Sequence, residues 1–249
     1  MEQICKNCNE IFTGSYCNTC GQAAKLKRID KHYISHEVFH LFHFEKGFFY
    51  TAKEMLIRPG ETAREFIGEN RSRLMKPVAF LILTALIFTL TAYLTHADQF
   101  YNQQTKDFSK ASKAYAQMLN WLIIHHNYGN LLSGFFTAIS CALLYKKEKH
   151  NFYETLIMVC FVIGLNTLLL SVGNLLYGVI KELWMNTLIT TATFIYTTWA
   201  ISQFYYNKLK KVSGYLKAVF AYILGQSLMH ICLLIIGITI DSVIKIWPH

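Results

Sequence analysis

The sequence predicts an all-α membrane protein with about five transmembrane helices, because long apolar runs alternate with short basic segments. Hydrophobic residues make up 53% of the 249 residues and charged residues only 16%, a balance typical of membrane proteins. Five runs lack Asp, Glu, Lys and Arg, and each reaches the ~20 residues that a helix needs to cross a bilayer. These runs cover 77–97, 114–145, 155–180, 183–207 and 218–240.

The second run is too long for one span, and it contains a polar break at His125, His126 and Asn127. We therefore expect its membrane-spanning part to begin near Tyr128. The preceding segment, 100–124, is then predicted to be an amphipathic helix in water or at the membrane interface.

Lysine and arginine residues predict the orientation of the spans, since cytoplasmic loops carry an excess of both. Of the 24 such residues, nineteen lie before the first span or in the loops after the second and fourth spans. The N-terminus is therefore predicted to be cytosolic and the C-terminus outside. The basic residues behind the formal net charge of +9 then set the orientation of the spans and contact lipid headgroups. Nucleic acid is therefore not an expected partner.

The polar N-terminal part of the chain is predicted to divide into two regions before the membrane. Pro59 and Gly60 interrupt helical sequence, which predicts one helix at about 30–57, with a candidate interruption at Gly47, and another at about 61–67. The predicted domains are a zinc ribbon at 1–24, cytosolic and juxtamembrane helices at 25–76, and a transmembrane helical domain at 77–249.

Four cysteines near the N-terminus predict a structural zinc site. Cys5, Cys8, Cys17 and Cys20 form two CxxC pairs separated by eight residues, and Gly21 permits the positive φ that follows the second pair. Two such turns facing each other supply four thiolates in a closed tetrahedron. Disulfides are not expected on the cytosolic side, where thiols stay reduced, and a redox role lacks its βαβ context.

A histidine stripe follows the cysteines: His32, His36, His40 and His43 lie within a sector of about 80° on a helix. Within it, residues 36–40 spell HExxH, in which two histidines bind zinc and Glu37 polarises a water. The alternatives are a metalloenzyme using His36, Glu37 and His40, a second metal or proton-sensing site, and a polar helix face against headgroups or a partner, which we favour. Candidate third ligands are His43, Glu54, Glu61 and Glu65.

Four polar residues within the predicted spans are candidate functional residues: Asn166, Asn174, Gln226 and His230. No fixed charge lies deep in a span, which argues against an ion-coupled pump. Hydrogen bonding between helices is the favoured role for these side chains. A water-filled path lined by all four would instead favour a pore or transporter.

Three stretches of the first eighty residues resemble an uncharacterised family of bacterial membrane proteins, found mainly in Bacteroidota: CKNCNEIFTGSYCNTCGQ, FEKGFFYTAKEMLIRPGE and REFIGENRSRLMKP. The resemblance implies an N-terminal zinc ribbon, a multi-span C-terminal region and a bacterial inner membrane, and it implies no known activity. The family's motif positions correspond to His36, His40, His43, Lys46, Gly47, Thr51, Glu54, Arg58, Pro59 and Gly60.

The predicted function is that of an inner-membrane interaction or effector protein, with zinc as its cofactor. Its ribbon and cytosolic helices are expected to dock a protein partner or sense a signal, on a bundle that contacts membrane lipid and forms homo-oligomers. The general layout resembles Yip1-type membrane folds and the membrane accessories of antiviral and CRISPR systems. The alternatives are the HExxH metalloenzyme and a pore or transporter.

Overall fold

The structure is a computed structural model that describes residues 2–25, 47–68, 71–95, 112–148, 150–180, 183–206 and 212–246. It is mostly helical, with one short antiparallel hairpin of strands β1 (Glu2–Ile4) and β2 (Ile11–Thr13) near the N-terminus. The helices are α1 (Phe48–Ile57), α2 (Pro59–Gly68), α3 (Pro77–Thr95), α4 (Lys113–Ile124), α5 (His126–Leu144), α6 (Phe152–Ile180), α7 (Leu183–Tyr205) and α8 (Val212–Ile246).

Three helices in the described part of the chain are long and apolar enough to cross a membrane: Pro77–Thr95, Phe152–Ile180 and Ser213–Ile246. The prediction of about five spans is therefore not supported on length and composition. The other two predicted spans do form long helices, α5 and α7. They are less apolar because α5 begins in polar sequence and α7 is rich in threonine, including Thr197 and Thr198, which are buried.

The predicted break within the second apolar run is present. Helix α4 ends at Ile124, His125 stands between the helices, and α5 begins at His126. The N-terminus of α4 is capped by Ser112, whose hydroxyl accepts the N–H of Tyr115 and donates to the Asp241 carboxylate of α8 at 2.6 Å. The same carboxylate accepts the backbone N–H of Lys113 at 2.9 Å. Acceptors at this position satisfy amides that have no partner within the helix.

Helix α6 is the centre of the bundle, since it packs against α3, α5 and α7. Aromatic rings connect it to the N-terminal helices. Phe161 of α6 meets Phe66 of α2 edge to face with ring centroids 5.3 Å apart, and it lies 6.1 Å from Phe80 of α3. All three rings are fully buried, so α2 belongs to the same hydrophobic core as the long helices.

The helical hairpin α1–α2 (47–68) packs on one end of the bundle, where α3 and α6 begin and α7 ends; we call this the head end. The break predicted at Pro59 and Gly60 is the turn of the hairpin, and proline is well suited to the first position of α2. Both residues are buried, and the N–H of Gly60 donates to Gln203 Oε1 of α7 at 2.8 Å.

The hairpin is held on α7 by three further contacts. Arg64 donates to the backbone carbonyls of Gln203 and Phe204, which lie at the end of α7 and have no partner within the helix. The Tyr196 hydroxyl donates to the carbonyl of Met55 at 2.9 Å. These bonds satisfy buried polar groups on both sides, so the hairpin is part of the bundle instead of a tethered appendage.

We expect Gly60→Ala to destabilise the protein by about 1–3 kcal/mol, the usual cost of overpacking a tight contact. A Cβ at this position would lie 2.3 Å from the backbone nitrogen of Phe204 and 2.5 Å from the carbonyl carbon of Gln203. Backbone atoms cannot rotate away from such a contact as a flexible side chain can. The thermal midpoint of the detergent-solubilised protein measures the effect.

The matched control is Gly68→Ala, at the last residue of the same helix, where a Cβ would meet nothing within 4 Å. This substitution should leave the midpoint unchanged or raise it slightly, since alanine favours the helix. Equal midpoints for the two variants would contradict the close approach of α2 and α7.

Candidate functional site

The N-terminal ribbon is built from two equivalent turns. In the first, the N–H of Cys5 donates to the carbonyl of Glu10 and the N–H of Asn9 donates back to the carbonyl of Cys5, both at 2.9 Å. In the second, the N–H of Cys17 donates to Gln22 and that of Gly21 donates to Cys17. The same hydrogen-bond pattern therefore repeats at both cysteine pairs.

Each turn needs one residue with positive φ. Gly21 fills this position in the second turn with φ 72°, as the sequence indicated. In the first turn the position belongs to Asn9, with φ 60°, and asparagine is the non-glycine residue that accepts this conformation most readily. Sequence reasoning missed Asn9, although its place one residue after Cys8 matches that of Gly21 after Cys20.

The four cysteine sulfurs converge, as the CxxC spacing predicted. All four lie within 4.8 Å of one another, with Cys5 Sγ 3.5 Å from Cys20 Sγ and Cys8 Sγ 3.6 Å from Cys17 Sγ. A tetrahedron with metal–sulfur bonds of about 2.3 Å places its sulfurs about 3.8 Å apart. The arrangement therefore fits a thiophilic metal ion held by four sulfur ligands.

The electrostatics of the four thiols also fit a bound cation. Hydrogen bonds from the Gln22 backbone and the Asn7 side chain lower the pKa of Cys20 to about 6. The Glu10 backbone lowers the pKa of Cys8, but desolvation and the neighbouring thiols raise it to about 12. The thiolate of Cys20 thus forms easily, whereas that of Cys8 is favoured by a positive charge nearby.

The ribbon docks onto the head end through one serine. Ser72 lies between α2 and α3; its hydroxyl accepts from Asn7 Nδ2 at 3.0 Å and donates to Gln22 Oε1 at 2.9 Å. Asn7 lies between the first two cysteines, and Gln22 follows the second pair. Each of the two cysteine turns therefore supplies one side of a clasp around Ser72.

The histidine stripe of the sequence analysis lies outside the described residues. The residues concerned are His32, His36, Glu37, His40 and His43. The metalloenzyme and the second metal site therefore stay predictions. Three of the proposed third ligands, Glu54, Glu61 and Glu65, are described. Glu54 and Glu65 both bind Arg58, at 2.6 Å and 2.8 Å, which orders the turn of the hairpin.

Three of the four polar residues predicted within the spans bond to a neighbouring helix. Gln226 of α8 bonds to Ser133 and Thr137 of α5. Asn166 Nδ2 donates to Thr197 Oγ1 of α7 at 2.7 Å, and His230 Nδ1 lies 3.2 Å from the hydroxyl of Tyr115. These three side chains therefore make hydrogen bonds between helices, which was the favoured interpretation.

The fourth residue, Asn174, is buried in α6. Of the four, only Asn166 lines the polar cavity within the bundle. The described residues therefore do not bring Asn166, Asn174, Gln226 and His230 together in one path. Sequence reasoning placed Asn127 in the polar break and missed Asn130, which lies about one helical turn further along α5, in the predicted second span.

Comparison with known proteins gives one family match. The family described as “Protein of unknown function (DUF3667)” matches residues 45–89, which include α1, α2 and the first part of α3. Neither the curated proteins nor the solved structures give a match. The matched region contains the hairpin turn at Pro59 and Gly60 and the docking residue Ser72, whereas the ribbon lies outside it.

We expect the purified protein to contain one metal ion per chain, and Cys17→Ser to lose it. A hydroxyl in place of the buried Cys17 thiol breaks the four-sulfur set, and because the ion folds the ribbon, the ribbon should unfold while the protein stays in the membrane. Elemental analysis by mass spectrometry measures metal per chain and identifies the ion.

The control is Cys232→Ser, which changes a half-buried cysteine of α8 far along the chain from the ribbon. This variant should keep its full metal content. A Cys17→Ser protein that retained one ion per chain would show that the four cysteines are not the ligand set.

Proposed function

We propose that this chain is an integral membrane protein whose N-terminal ribbon, folded by zinc, is a docking or sensing head on the cytosolic side. The observation that carries the proposal is the clasp around Ser72, in which each cysteine turn makes one hydrogen bond to this residue. Ser72 lies in the segment that leads into the first long apolar helix. A change in the ribbon therefore reaches the bundle through two hydrogen bonds.

The hairpin supports the same function, because it gives the head a rigid base. Arg71 donates to the carbonyls of Phe66 and Ile67 at the end of α2, and the Arg73 guanidinium lies 4.7 Å from the ring centre of Tyr50. Met75 N–H donates to the buried Thr51 hydroxyl at 2.8 Å. Basic residues beside the membrane thus serve structure as well as contact with anionic lipid.

The membrane placement that we propose has five spans, formed by α3, α5, α6, α7 and α8. Helices α5 and α7 contain 19 and 23 residues, enough to cross a bilayer, and Thr137 of α5 and Thr197 and Thr198 of α7 are buried. The distribution of lysine and arginine supports a cytosolic N-terminus. The bacterial inner membrane is what the family resemblance implies. Many large apolar side chains on the outer faces remain exposed and suit contact with lipid.

A protein partner is the proposed ligand of the head, and a homo-oligomer is the proposed assembly of the bundle. A four-sulfur site leaves no open position for a substrate, so the ribbon metal has a structural role. An apolar rim supports protein recognition, because Ile4 and Ile11 are paired across the strands and both are exposed, at 68% and 63%.

We expect an impermeant thiol reagent applied outside to label Lys110→Cys but not Lys147→Cys in intact cells. The first position lies between the first two spans and the second lies between spans two and three, which the positive-inside rule assigns to opposite sides. Both should react equally after permeabilisation, which controls for thiol reactivity. The reverse pattern would place the ribbon outside and remove the proposed cytosolic head.

We expect Ser72→Ala to release the ribbon from the bundle without loss of metal. The variant lacks both hydrogen bonds of the clasp, each worth about 0.5–1.5 kcal/mol, so trypsin should cut after Arg71 and Arg73 roughly tenfold faster. The cleavage rate in the purified full-length protein is the measurement, and chelation of the metal should increase it similarly.

The control for this experiment is Ser15→Ala, which changes an exposed serine of the same ribbon. Its cleavage rate should equal that of the unmodified protein. If Ser72→Ala is cut no faster, the ribbon does not communicate with the bundle through this residue, and the sensing function loses its support.

A further inference from the structure

A polar cavity of about 90 Å³ lies inside the bundle between α5, α6, α7 and α8. None of the described residues that line it carries a charge. Its polar wall includes Asn130, Ser133, Asn166, Thr193, Thr197 and Tyr222. A polar, uncharged wall within a bundle that faces lipid suits a small neutral group with hydrogen-bond donors and acceptors.

The hydrogen-bond network fixes which amide atom of Asn166, a residue that lines the cavity, is left without a partner. The Thr197 hydroxyl donates to the carbonyl of Thr193 at 2.8 Å, so its oxygen is left to accept. Asn166 Nδ2 donates to that oxygen at 2.7 Å. Asn166 Oδ1 is then a buried acceptor with no hydrogen-bond partner among the described residues.

An apolar groove of about 320 Å³ lies on the outer surface between α3 and α5. Ile82, Leu86 and Leu131 line it and are exposed at 45%, 62% and 51%. Asn130 and Ile163 line both the groove and the cavity, so these two side chains form a wall that the two spaces share.

Two more buried amide atoms without a hydrogen-bond partner among the described residues belong to side chains that line the groove. Asn127 Nδ2 donates to Thr89 Oγ1 at 3.0 Å, and its Oδ1 stays without a partner. Asn130 Nδ2, on the shared wall, is an unpaired donor. Each buried unsatisfied group costs about 1–3 kcal/mol, and lipid tails cannot supply the missing bonds.

We propose that groove and cavity together bind an acylglycerol, a neutral lipid whose head carries hydroxyl and ester groups. One acyl chain occupies the groove, and the head enters the cavity past Asn130. A hydroxyl of the head donates to Asn166 Oδ1, and an ester or hydroxyl oxygen accepts from Asn130 Nδ2. A phosphate head is disfavoured, since no cationic residue lines either space to balance its charge.

This inference rests on the membrane placement proposed above, and its test separates the two. The full-length protein is placed in phosphatidylcholine vesicles with a monoacylglycerol whose acyl chain carries a photoactivatable diazirine. Asn166→Leu and Asn130→Leu should each reduce labelling of the α3 and α5 peptides at least about fivefold, because each loses one buried hydrogen bond to the head. Asn120→Leu, on α4 and outside both spaces, should label normally.

A second variant tests the lipid site without a substitution in the buried core. Leu86→Trp changes an exposed residue of the groove, and it should block the acyl chain and reduce labelling while leaving the cavity intact. Unlabelled monoacylglycerol should compete with the probe, whereas lysophosphatidic acid of the same chain length should compete at least about tenfold less well, because its phosphate would be unbalanced in the cavity.

Several outcomes would overturn the lipid site. One is normal labelling of Asn166→Leu, and another is equal competition by lysophosphatidic acid. A third is labelling of the unmodified protein that does not exceed the labelling of Leu86→Trp. A higher thermal midpoint for Asn166→Leu in lipid would mean that its acceptor is unsatisfied and that no head group binds there. Resistance to alkaline extraction is measured first, so that failure to insert counts against the membrane placement alone.

Discussion

The contact between the first turn of α2 and the last turn of α7 is the constraint on which the head end depends. Gly60 approaches the backbone of Phe204 so closely that no side chain fits between them, and its amide donates to Gln203. Arg64 then occupies the carbonyls at the end of α7. Loss of this contact would weaken the packing of the hairpin on α7, and with it the base beside which the ribbon rests.

Next to that contact, three aromatic rings pack in sequence from the hairpin to the long helices. The hairpin places Phe66 against Phe161 of the central helix, and Phe161 meets Phe80 of the first long apolar helix. The matched family region includes the hairpin and the start of this helix, but not the ribbon. The shared element is therefore the joint between the polar N-terminal part and the bundle, whereas the ribbon belongs to the part of the chain that the match does not reach.

Local sequence signals predicted the features that depend on local geometry. Two CxxC pairs bring four sulfurs together because each pair fixes its own turn, and Pro59 with Gly60 ends one helix and begins the next. The span count was less predictable. Absence of charge does not distinguish a lipid-facing helix from one such as α7, whose buried face carries Thr197 and Thr198.

The polar residues of the bundle could be found from the sequence, but their roles could not. The sequence alone does not distinguish Gln226 from Asn166, yet the amide of Gln226 bonds to Ser133, whereas Asn166 lines a cavity and its Oδ1 has no partner among the described residues. Whether a buried amide is satisfied depends on side chains from other helices. Asn130 was missed for the same reason, since its importance comes from lying on a wall shared by two spaces.

The cap of α4 has a consequence for how the protein is made. Asp241 stands 129 residues after Ser112, so its carboxylate reaches the N-terminus of α4 from near the end of α8. Contacts of such long separation form late, because the intervening chain must be synthesised and closed into a loop first. Ser112 caps α4 locally through the Tyr115 amide, whereas the bonds from this turn to Asp241 form only after α8 has been synthesised.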